Sequence, residues 1–79
     1  MELTLDCRKE LPQLHEQLAQ ELCFPEWYGK NLDALHDCLN DIVFPVTITV
    51  LFGDLHPKLL RVLYDCTEEN PNLTIHIPE

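Results

Sequence analysis

Glycine is almost absent from this 79-residue chain: Gly29 and Gly53 are the only two. A backbone cradle for phosphate needs several glycines in one loop, so a nucleotide-binding loop of that kind is excluded. Basic residues are also scarce. Five Lys and Arg stand against 14 Asp and Glu, a formal charge of -9. Such a field repels nucleic acid and anionic membranes, which argues against direct binding to DNA, RNA or a lipid surface. No apolar run is long enough to cross a membrane. The cysteines Cys7, Cys23, Cys38 and Cys66 form no CxxC pair. The four histidines add no zinc spacing, so no metal site and no cofactor are expected.

What is present is a normal apolar share, 46% of residues. That is enough for one core and too little for two, so residues 1–79 are expected to form a single domain. The acid surplus serves solubility in any case. It also attracts basic partners and speeds their encounter. Cys38 and Cys66 fall on apolar helix faces, where free thiols act as small hydrophobes. Two disulfides are the alternative. The opening "MELTLDCRKE" is charged and strand-like, unlike a signal peptide, so a reducing, cytoplasmic setting is expected.

Periodicity gives the elements. "ELTL" (2–5) alternates as a short strand. Leu11, Leu14, Leu18 and Leu22 recur at helical spacing, with Pro12 in the first turn and Pro25 beyond the end. "FPEWYGK" (24–30) is a connector. A second helix is expected from an N-cap at Asn31 to about Val43. Leu32, Leu35, Leu39 and Ile42 cluster within about 80° of arc and face a core, with Cys38 at the edge. "PVTITVLF" (45–52) is the clearest strand, with Val46, Ile48, Val50 and Phe52 on one face. "PKLLRVLYDCTEE" (57–69) is a third helix, "NPN" a turn, and "LTIHI" (73–77) the last strand. Helices between strands imply a parallel sheet. The strands alternate rather than run apolar throughout, so helices cover one face only. Right-handed crossovers on one side then require strand order 1-2-3, a two-layer α/β domain.

No active site assembles from these residues. Cys38 and His36 project about 200° apart on their helix and cannot pair. Asp33 and Asp37 could do acid–base work in principle, but they lie on an exposed helix face beside no concavity. The chain is therefore expected not to be an enzyme. A binding surface fits better. His36, Asn40, Asp33, Asp37 and Asp41 share the arc opposite the leucines. Trp27 and Tyr28 precede them in the connector, and aromatics beside fixed charges are typical of interface hot spots. One of the two aromatics is expected to cap the small core instead. The aspartates repel one another at i and i+4, at a cost of about 0.2–0.5 kcal/mol, which points to a use outside the helix.

The stretch "PEWYGKNLDALHDCL" resembles the signature of the barstar family, intracellular protein inhibitors of microbial ribonucleases. The match is long and ungapped. The likeness extends over the chain, through the helix ending "QELCFP" before it and the final "LTIHI" after it; the segment around "FGDLHP" is shorter than in the best-known member. The resemblance implies a three-stranded parallel sheet with three to four helices. It implies that the acidic helix and the loop before it block a ribonuclease active site, one inhibitor to one enzyme, with carboxylates in place of RNA phosphates. Asp37 would be the central phosphate mimic and Asp33 would meet the basic site beside it. Trp27 would offer an aromatic contact, Gly29 and Asn31 would present the loop backbone, and Asp65 would contribute from the neighbouring helix. The partner would be a basic secreted ribonuclease or a ribonuclease toxin, and the free inhibitor a monomer.

Departures from the family pattern concentrate in one half of this surface. His36 stands where the best-known member has tryptophan. Asn40, Asp41 and Ile42 replace a Thr-Gly-Trp segment, and Asp65 is one methylene shorter than the usual glutamate. Partner choice is set by such differences. The alternative reading is an immunity or interaction module of the same fold that binds a different basic nuclease or a regulatory protein.

Overall fold

The computed structural model describes residues 1–78. Its elements are β1 (Glu2–Asp6), α1 (Leu11–Glu21), α2 (Leu32–Asn40), β2 (Val46–Leu51), α3 (Pro57–Glu69) and β3 (Leu73–His76). The strands form one parallel sheet in the order β1-β2-β3. Leu3 lies beside Ile48, and Ile48 beside Ile75. That register turns Leu3, Leu5, Val46, Ile48, Val50 and Leu73 into the buried face. The opposite face carries Thr4, Thr47, Thr49, Thr74 and His76, half-buried or exposed. The expected two-layer α/β architecture is the one observed.

The leucine ladder of α1 supplies Leu14, Leu18 and Leu22 to the core, α2 supplies Leu35 and Leu39, and α3 supplies Leu59 and Leu63. Cys38 and Cys66 are buried among them, and all four cysteines are free thiols.

Three boundaries differ from the periodic reading. The second helix ends at Asn40 rather than near Val43. The buried Asn70 side chain donates to the carbonyls of Leu39 and Ile42, at 3.0 and 2.9 Å. Those carbonyls are thereby satisfied without a further turn, and Pro45 steers Phe44 towards extended backbone. Phe52 does not continue the buried face of β2. It adopts a left-handed φ of 66° and packs its ring under the Arg8 guanidinium, 4.1 Å away. Arg8 is itself fastened to Asp6 at 2.7 Å. Ile77 lies past the end of β3 and is exposed.

Candidate functional site

The loop between α1 and α2 sends its two neighbouring aromatics in opposite directions. Tyr28 is 9% exposed and Trp27 68%. The Tyr28 ring meets Phe24 edge-on, with centroids 5.0 Å apart, and its hydroxyl is hydrogen-bonded to Nδ1 of the buried His15. Burial pushes the Tyr28 hydroxyl up to about 12, so it stays protonated. Tyr28 is thus the aromatic that caps the core, and Trp27 is the one presented to solvent. Lys30, at a left-handed φ of 53°, reaches back to Glu16 at 2.7 Å and ties the loop to α1.

Gly29 leaves room for the Asn31 side chain: a Cβ there would lie 2.9 Å from Nδ2 of Asn31, which would have to shift. Asn31 must keep its place because its Oδ1 caps α2, accepting from the Ala34 amide at 2.8 Å. Asn31→Ala is expected to cost about 1 kcal/mol in urea denaturation.

His15 gives this anchor a pH dependence. Burial, and secondarily the Lys30 charge, hold its proton affinity below the ordinary 6.5. The unfolded chain then takes up the proton first as the medium is acidified. The stability that His15 contributes is complete above about pH 6.5 and is lost as pH falls through the lower folded value. Thermal melts of His15→Phe should lack that part of the acid slope.

On α2, Asp33, Asp37 and Asp41 are exposed and spaced one turn apart. Asp37 has 79% of its side chain in solvent. The helix dipole favours Asp33, in the first turn, and opposes Asp41, at the C-cap. No basic residue occupies the last turn to offset it. Among the described residues, no Lys or Arg pairs with any of the three; the Nδ1 of His36 is 3.9 Å from Asp37.

Glu69 is a member of this surface that periodicity did not reveal. From the end of α3 it accepts from Asn40 Nδ2 at 2.6 Å and lies 3.3 Å from Nε2 of His36. It sits one turn beyond Asp65 on the same flank, and that spacing was the available signal. Asp65 is half-buried on α3 and makes no hydrogen bond or ion pair with α2 among the described residues. The Asn40 Oδ1 is buried without a partner among those residues. The structure therefore gathers His36, Asp37, Asn40 and Glu69 at the α2–α3 junction. Trp27, Gly29 and Asn31 lie in the loop that leads into α2.

The thiols nearby are poor nucleophiles. Burial pushes Cys66 up to about 11, and burial with the Asp41 and Asp37 charges raises Cys38. Among the described residues no group of three or more His, Cys, Asp or Glu converges as a metal ion requires. Among the described residues, no helix is long and apolar enough to cross a membrane. What the arrangement can do is present fixed negative charge, with an aromatic beside it, to a complementary surface.

A small parallel α/β domain that carries an acidic helix behind an aromatic loop is the architecture of one family of proteins. The sequence profile of Barstar (barnase inhibitor) matches residues 1–69, and the chain belongs to this family. It is 37% identical over 65 residues to "Putative ribonuclease inhibitor YrdF" of Bacillus subtilis (strain 168), an alignment that covers 71% of each chain.

Proposed function

We propose that this chain is a proteinaceous inhibitor of a basic ribonuclease and blocks the enzyme's active site with α2 and the preceding loop. The observation that carries the reading is the row of three solvent-facing aspartates on one capped helix, without a Lys or Arg partner among the described residues. Family membership and the printed name of the Bacillus subtilis relative support it. Asp33 and Asp37 are roughly 6 Å apart at Cβ, as helix neighbours are, and stand in for successive phosphates of an RNA strand. Asp41 and Glu69 extend the negative surface, and Trp27 covers the rim of the enzyme's cleft. The inhibitor works in the cytoplasm as a single monomeric domain and binds one enzyme molecule.

A second reading rests on the junction of His36, Asn40 and Glu69. These residues are hydrogen-bonded or close-paired to one another in the half of the surface that departs from the family pattern. In that reading the target is a different basic nuclease or a regulatory protein.

The test is inhibition of RNA hydrolysis by purified barnase, with calorimetry over a range of salt. One-to-one binding that weakens steeply as salt rises supports the ribonuclease reading. Absence of binding to barnase, together with binding to a basic protein that is not a ribonuclease, selects the second.

A further inference from the structure

A cleft of ≈ 180 Å³ opens between the end of α1 and the end of α2. Phe24, Ile42, Val43 and Phe44 supply apolar walls, Cys38 contributes from α2, and Asp41 stands among the lining residues. Val43 is 85% exposed and Phe44 is also exposed, an unusual cost for a domain with so little apolar mass. The volume suits one large side chain; an engineered apolar cavity of about 150 Å³ takes up benzene.

Both walls are held in place. The Phe24 amide donates to Ala19 O at 2.9 Å, and the Phe24 ring rests on Tyr28. The Ile42 carbonyl accepts from Asn70 at 2.9 Å and from Asn72 at 3.3 Å. The cleft is therefore open before anything binds, and little ordering is needed to fill it.

Its position and charge select the occupant. Asp41 belongs to the same acidic row as Asp37 and Asp33, and the α2 C-terminus adds the negative end of the helix dipole. A second copy of this chain would bring another charge of -9 to that edge, and a membrane surface is repelled for the same reason. We propose that this cleft is an additional docking point on the inhibitor surface, receiving one large apolar side chain that the partner protein carries next to a lysine or arginine. The proposal rests on the reading that the acidic face meets a basic partner. It assigns to Phe24, Ile42, Val43 and Phe44 the role of selecting among basic partners, since the carboxylates alone would accept any of them.

The test uses the full chain labelled with ¹⁵N and three capped tripeptide amides: Lys-Leu-Lys, Lys-Ser-Lys and Glu-Leu-Glu. Lys-Leu-Lys is expected to move the amide signals of Phe24, Ile42, Val43 and Phe44. Lys-Ser-Lys should move only those of the aspartate row, and Glu-Leu-Glu should move neither set. In parallel, Val43→Asn should weaken barnase inhibition about tenfold, on the scale of one valine-sized group left unburied. Identical patterns for the leucine and serine peptides would overturn the docking point. So would a Val43→Asn variant that inhibits like the parent while Asp37→Ala is inactive, and so would self-association that Val43→Asn abolishes. Leucine-dependent shifts in the cleft without any inhibition of barnase would keep the docking point and move the target from barnase to another basic protein.

Discussion

Asp37→Ala is expected to abolish inhibition without harming the fold. In the proposed complex Asp37 faces the cationic groups of the enzyme with water excluded. Removing one partner of a buried ion pair costs about 3–5 kcal/mol, because the charges left behind are buried and unpaired. That is a loss in affinity of more than about a hundredfold. The type complex of this same family is a reference case for strongly coupled charge pairs across an interface, so the scale is a borrowed one. In the free chain the balance is reversed. Asp37 is mostly in solvent, has no Lys or Arg partner among the described residues, and lies one turn from Asp33 and one from Asp41. Its removal relieves two like-charge contacts of about 0.2–0.5 kcal/mol each. Thermal melting should therefore give a midpoint equal to or above that of the parent. Calorimetry against barnase and a melt of the same preparation separate the two effects; loss of folding together with binding would show that Asp37 is structural.

The second large effect is expected from Asn70→Ala, at a buried, uncharged side chain. The Asn70 side chain is buried, donates to Leu39 O and Ile42 O, and accepts from the Asn72 amide at 3.0 Å. Alanine removes the shorter donor from two carbonyls at the end of α2, leaving Ile42 O only Asn72 Nδ2 at 3.3 Å and Leu39 O the Ile42 amide at 3.2 Å, and it takes the acceptor from the Asn72 amide. Three hydrogen bonds lost at about 0.5–1.5 kcal/mol each bring the sum to about 2–4 kcal/mol. The damage should be local as well as global. Amide exchange of Asp41 and Ile42 should accelerate in the variant beyond what the fall in overall stability explains, because their turn loses its fastening. A change in urea stability below about 0.5 kcal/mol, typical of surface positions, would show that the bridge carries nothing.

These two residues also mark what can be read from a sequence. Asp37 was legible. The leucines at 32, 35 and 39 fix one side of a helix, and everything at 180° to them follows from a rotation of 100° per residue. The same logic placed α1, β2 and the parallel order of the strands. Asn70 was not legible. Its partners lie 28 and 31 positions away, and a single long-range side-chain bond leaves no period behind it. The His15–Tyr28 contact, 13 positions apart, was hidden for the same reason. Alternation also continued in the letters after the ladder had ended, and so Phe52 and Ile77 were assigned to faces they do not reach. Nor could the sequence tell which of Trp27 and Tyr28 turns inward. Two adjacent aromatics look alike until a buried imidazole is found to hold one of them.

The register of the sheet bears on when in the life of the chain its acidic surface exists. Val46 pairs with Leu73, 27 positions on, whereas Glu2 pairs with Thr47, 45 positions on. Closing the longer loop is dearer by about 0.5 kcal/mol in chain entropy, so β2, α3 and β3 are the easier half to assemble. The aspartate row lies inside the longer loop. It is held from outside by Glu69 and Asn70, which are translated some thirty residues after it. A nascent chain that has emerged only as far as α2 carries all three aspartates and presents none of them in a fixed arrangement. In the proposed function, inhibition of a ribonuclease would therefore begin only once the last third of the chain has been synthesised and docked.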